Sequence, residues 1–176
     1  MRKISVVLVG LVLLSSSCKK KEEAPQYSGE IQLSSEILQS DEPHFYGFSF
    51  ETGKISLYTL SDALADLTAI HLIFGENFSV DLYGSDEMEA FHKNGLFSTA
   101  AEAETFFTNY KEVLAQEFIF SATDIKENEI WTVQTGKKHF AKIWIKKITW
   151  QTASHSDFAI ISIQYEYQPD GSRNFD

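Results

Sequence analysis

Short strand-like runs punctuated by turns predict a β-rich chain, mainly antiparallel and sandwich-like, with one amphipathic helix inserted near its centre; α+β is the alternative class. Three observations carry this. "HFYGFSF" and "ISLYTL" alternate across the turn Glu51-Thr52-Gly53-Lys54, the pattern of a β-hairpin. "AIHLIF" and "FSVDLYG" form a second such pair across Gly75-Glu76-Asn77. After a helical stretch, "EIWTVQT", "HFAKIWIKKITW" and "FAIISIQYEYQ" follow one another as three strands of an antiparallel meander, closed by the turn residues Pro169-Asp170-Gly171.

The elements fall into three stretches. Residues 1–17 read as a signal peptide, 18–43 as a modified N-terminus and flexible tether, and 44–176 as a single β-rich domain. Within the tether, residues 19–30 are polar and carry Pro25 and Gly29, while 31–43 fit no one pattern. In the middle of the domain, "SDEMEAFHKNG" has an acidic start and a glycine stop, which suits a short helix. From about Thr99 to Gln116, Ala103, Phe106, Phe107, Tyr110, Val113 and Leu114 recur at helical spacing between polar residues.

Composition narrows the function. Of the 176 residues, 43% are hydrophobic and 14% aromatic, enough for a packed core and too many for a disordered chain. The net charge is −10, and loss of Arg2 and Lys3 with residues 1–17 would make it −12. Such a domain gains nothing from counterion release at a phosphate backbone, which argues against a nucleic-acid partner. The lone cysteine, Cys18, rules out an internal disulfide and any zinc site built on paired cysteines.

The position of Cys18 is the most informative feature of the chain. Met1-Arg2-Lys3 is a basic start, and Ile4 to Leu14 is an apolar run of eleven residues interrupted by Ser5 and Gly10. That run is short for a bilayer core, which takes roughly 20 residues, and suits a secretory signal peptide. Ser15-Ser16-Ser17 then leads into Cys18. This arrangement resembles the lipobox of bacterial lipoproteins, in which the cysteine takes a diacylglycerol thioether and becomes the mature N-terminus. The resemblance implies a chain anchored by lipid at the outer membrane, facing the periplasm or the cell surface. The charged run Lys19-Lys20-Lys21-Glu22-Glu23 is similar to the surface-export signals of Bacteroidota lipoproteins.

Candidate chemistry is sparse. In "HFAKIWIKKITW", strict alternation puts Ala141, Ile143, Ile145 and Lys147 on one face and Phe140, Lys142, Trp144, Lys146, Ile148 and Trp150 on the other. The second face is either a stacking platform with cationic rims or a surface covered by the helix, with the lysine stems snorkelling outward; the covered surface is the expectation, because an open platform would expose a large apolar patch. The five histidines are His44, His71, His92, His139 and His155. His71 reads as a satisfied core residue, His92 as lying at a helix end, His155 in a polar loop, and Lys137 and Lys138 flank His139. The acidic clusters Asp86–Glu89 and Asp124–Glu129 lack calcium-loop spacing and read as solvated surface. Asp62 and Asp66 would meet only on a helix. No hydrolase elbow, P-loop or dinucleotide fingerprint occurs, so no catalytic, cofactor-binding or metal residue is assigned.

"FYGFSFETGK", "DALADLTAIHLIFG" and "WTVQTGKKHFAKIWIKKI", in that order, are similar in layout to the all-β lipoproteins of Bacteroidota that include the haem-scavenging haemophores. That resemblance implies the fold and the compartment. It passes on no iron-ligating histidine, and a bis-histidine haem site is not expected. The resulting expectation is a non-catalytic binding or accessory lipoprotein of the envelope, with an envelope protein or small ligand as partner. A haemophore-like protein and a structural or assembly subunit are the alternatives.

Overall fold

A computed structural model describes residues 27–38, 42–59, 65–74, 77–85, 89–152 and 157–175. In chain order the elements are β1 (Ser28–Ser34), β2 (Ile37–Leu38), β3 (His44–Ser49), β4 (Lys54–Thr59), β5 (Leu67–Phe74), β6 (Asn77–Tyr83), β7 (Phe91–Leu96), α1 (Ala100–Asn109), β8 (Ser121–Ala122), β9 (Glu129–Gln134), β10 (Phe140–Thr152) and β11 (Asp157–Gln168). They form an antiparallel, sandwich-like β fold with one helix. One sheet runs β1-β11-β10-β9-β7, the other β2-β3-β5-β6-β8 with β4 paired to β3.

Both hairpins form where the turn signals place them. The first closes at Gly53, whose N–H donates to Ser49 O at 2.9 Å and whose φ of +66° is open to glycine at little cost. The meander β9-β10-β11 also forms, with β10 central. β11 shows why these runs become strands. Ala159, Ile161, Ile163, Tyr165 and Tyr167 alternate inward and meet Phe48, Leu67, Ala69, Val80 and Leu82 of the facing sheet. Burial of one face of each sheet fixes the register, since a one-residue slip would turn every apolar side chain outward.

Three boundaries differ from expectation. The sandwich includes Ser28–Ser34: β1 pairs along its whole length with β11, and Leu33 is fully buried in the core, so this stretch belongs to the domain and not to a tether ending at residue 43. "FHKNGL" is strand β7, not part of a helix. Gly95, read as a helix stop, lies just after Asn94, which bulges out of the pairing with β9. Finally, α1 spans ten residues, not the stretch from Thr99 to Gln116. Its start is as the sequence specifies: Thr99 Oγ1 accepts from Glu102 N–H at 3.2 Å and Glu102 Oε2 from Thr99 N–H at 3.1 Å, a capping box. It ends early because residues 111–113 pair with the C-terminal segment. Val113 N–H donates to Arg173 O and Phe175 N–H to Lys111 O, both at 2.7 Å. Val113 and Ala115 are then buried and Leu114 exposed, a two-residue period that a helix could not supply.

β10 contains a bulge that changes which side chains face the core. Ile145 pairs with Ile163 and Lys147 with Ser162, leaving Lys146 as the extra residue. Before it, Ala141, Ile143 and Ile145 point into the sandwich. Beyond it, Ile148 and Trp150 do, and Trp150 meets Phe78 at 5.1 Å between ring centroids. The strict alternation expected for this strand therefore holds only up to Lys146.

Candidate functional site

The bulge dissolves the suspected aromatic platform. Ile148 and Trp150 lie on the core side, Lys146 stays partly exposed, and Phe140, Lys142 and Trp144 are covered. Ala103 and Phe107 of α1 pack over Trp144. Phe140 lies beneath Val113, Ala115 and Phe175, with the Arg173 guanidinium 5.1 Å from its ring centroid. Lys142 does not snorkel out; its side chain is 0% exposed. Its ammonium donates to Phe107 O and Tyr110 O, both at 2.9 Å, and to Glu166 Oε2 at 2.8 Å. Burial lowers the Lys142 pKa, with Glu166 acting in the opposite sense. A cation at the carbonyl end of a helix is favoured by the helix dipole, so Lys142 closes α1.

The histidines are scattered. His71 Nδ1 lies 2.8 Å from Ser35 O, His92 Nδ1 2.9 Å from Glu117 O, and His44 Nδ1 2.8 Å from Glu42 O. His71 is thus satisfied, while His92 sits on β7 and not at a helix end. His155 and Asp62 lie outside the described residues, as do Cys18 and 86–88. Among the described residues no group of three or more potential metal ligands converges. Glu129 is not solvated surface. It is buried, accepts from Trp131 Nε1 at 2.9 Å and is ion-paired with Lys93.

One polar cluster does assemble, at the end of the sandwich where the β3–β4 and β9–β10 turns meet. Asp66 accepts from Phe50 N–H at 3.0 Å and also from Ser49 and the Gly136 N–H. It therefore ties a turn of each sheet to the entry of β5. Burial raises its carboxyl pKa despite these donors. His139 Nδ1 lies 2.9 Å from Tyr167 OH, and burial, with the Asp66 and Glu51 carboxylates nearby, pushes that phenol up to about 12. Tyr167 is itself buried. The cluster is a clasp between sheets.

A small, largely apolar cleft lies on the outer face of the β3–β6 sheet. Phe45 pairs with Tyr58, Gly47 with Thr68, and Thr68 with Tyr83, so all share the face opposite the core. Phe45, Tyr58, Thr59, Thr68, Ile70 and Tyr83 enclose about 150 Å³. Gly47 makes this shape possible. A Cβ there would fall 2.9 Å from the Tyr58 ring and 2.4 Å from Ala65 Cβ, so only a glycine lets Tyr58 lie down over the strand. Beside the cleft, on the same face, the buried Asp81 accepts from Asp124 N–H at 2.8 Å. Burial, followed by the Asp81 charge and its hydrogen bond, raises the Tyr83 phenol. A trough of about 710 Å³ between Leu96, Phe97 and α1 is larger but broad and open. The signal that could have found the cleft was the outward parity of two aromatics, Phe45 and Tyr58, on paired strands.

No protein-family model and no curated protein matches the chain. Among the described residues, no helix is long and apolar enough to cross a membrane.

Proposed function

We propose that the chain is a non-catalytic binding or accessory lipoprotein of the cell envelope, held at the outer membrane by lipid on Cys18. The observation that carries this reading is the placement of the chain's single cysteine directly after a basic start, a short apolar run and Ser15-Ser16-Ser17. Two or three acyl chains, at about 0.8 kcal/mol per buried methylene, give a stable anchor. Residues 19–27 span at most roughly 30 Å when extended, so a sandwich beginning at Ser28 would stand close to the bilayer. The half-open apolar cleft on the β3–β6 sheet supports binding as its task, since ligand sites are concave and mostly apolar.

The test is fractionation and mass spectrometry of the mature protein. Wild type should partition with membranes and carry the acyl mass on an N-terminal Cys18. Cys18→Ser should appear in the soluble fraction or as unprocessed precursor. Mature protein with an unmodified Cys18 thiol would sink the reading.

A second reading, a subunit of an envelope assembly, is favoured by β4. Among the described residues no strand pairs with its far side. It is six residues long, carries no proline, shows no register shift against β3, and exposes Ile55 and Leu57. Edges this open are templates for another strand.

A further inference from the structure

The cleft formed by Phe45, Tyr58, Ile70 and Tyr83 rests on the reading above as a binding module, and its geometry points to a ligand class: a small organic cation bearing a methylated ammonium. Size sets the first limit. A volume of about 150 Å³ matches a cavity that holds one benzene-sized group and is far below the several hundred Å³ of sites for larger ligands. A porphyrin or an oligomeric chain would not fit it.

Chemistry sets the second limit. Three of the lining residues are aromatic: Phe45, Tyr58 and Tyr83. Their rings come from three strands on one face, and Gly47 lets the Tyr58 ring lie against the sheet. Ring faces carry negative quadrupole potential and bind quaternary ammonium groups, which are weakly hydrated and so shed water readily. Among the described residues no lysine or arginine lines the cleft.

Charge sets the third. Asp81 lies next to Tyr83 on the same face and is 5% exposed. Among the described residues its donors are the Asp124 N–H and the Tyr83 phenol, and it has no cationic partner. A carboxylate buried without a countercharge favours a cation nearby, and the net charge of −10 acts in the same direction at long range. An anionic ligand meets the opposite field.

The experiment is calorimetric titration of the full mature lipoprotein in maltoside micelles. The probes are tetramethylammonium, choline and 3,3-dimethylbutan-1-ol, the uncharged carbon isostere of choline, with potassium chloride as the ionic-strength control. Saturable one-to-one binding of both cations is expected, with the isostere weaker by at least about tenfold. Asp81→Asn keeps an acceptor for Asp124 N–H and should bring choline down towards the isostere. Ile70→Phe, which fills the cleft, should abolish binding of all three while the melting temperature holds. Phosphatidylcholine vesicles, compared with phosphatidylglycerol vesicles, separate a lipid headgroup from a free cation as the source of the ammonium. Equal binding of choline and the isostere, or choline binding that survives Ile70→Phe, would overturn the assignment to a cation while leaving the anchored binding module standing. Binding of none of the probes overturns it too, and membrane release of Cys18→Ser then reports separately on the anchor.

Discussion

Removing the Lys142 ammonium should leave the Phe107 and Tyr110 carbonyls, at the end of α1, without a donor. Burying a charge is costly, and an apolar replacement for a whole ion pair is often harmless. Here one partner goes and three acceptors remain, of which Phe107 O is buried, Tyr110 O part-buried and Glu166 24% exposed. Lys142→Met should therefore destabilise by about 2–4 kcal/mol, measurable by urea denaturation. Asp66 gives a pH signature. Burial raises its pKa above the ordinary 3.8, so the folded chain holds that proton to higher pH than the unfolded chain does. Stability from this group is therefore greatest in acid and falls as pH climbs from 3.8 through the folded value. Asp66→Asn removes that decline. The stability of the variant relative to wild type should improve as pH rises above 3.8; a constant difference would show that Asp66 titrates as it does in the unfolded chain.

α1 separates two phenylalanines that the helical pattern treats alike. Phe107 is 4% exposed over Trp144, whereas Phe106 is half-buried between Phe97 and Tyr110, at 4.9 and 5.6 Å. Phe107→Ala should cost about 3–5 kcal/mol and Phe106→Ala clearly less, as read by thermal melting. Equal losses would mean that the helix is docked differently. The N-terminal half of this element was legible because its cap is local: Thr99 and Glu102 are three residues apart. Its end was not, because the competitor is Arg173–Phe175, some sixty residues further on. β7 was misread for a similar reason. Gly95 looks like a helix stop in sequence, but its strand is imposed by pairing with β9 and by the Phe91–Ile119 bridge, contacts that no local window contains.

At the scale of the molecule, both hairpins and the meander could be read in advance because each depends on neighbouring runs and their turns. The two-sheet order could not, since β1 finds its partner β11 at the far end of the chain. The same holds for the sites. Cys18 is legible because the features that single it out are contiguous in sequence. The cleft is not, because it gathers side chains from four strands and depends on a glycine whose role appears only when Tyr58 is laid over it. The open edge of β4 makes a prediction about the whole particle. If that edge recruits a second copy or another subunit, Leu57→Lys should shift the mass measured by light scattering down to the monomer without changing the melt. A wild type that is already monomeric at high concentration would remove the assembly reading.

The extra residue at Lys146 means that the pairing of β10 with β11, and not its composition alone, decides which side chains turn inward. Flattening the bulge with all 13 residues kept would impose a strict two-residue rhythm and swap sides for everything after it. Lys147 and Thr149 would be driven into the interior, and Ile148 and Trp150 would be turned out to water. Lys146→Ala, by contrast, gives up only a partly exposed ion pair with Glu30, worth about 1 kcal/mol or less. The position should therefore tolerate many side chains, and its deletion would leave Ile145 opposite Ile163 and Lys147 opposite Ser162, with Ile148 and Trp150 still facing inward.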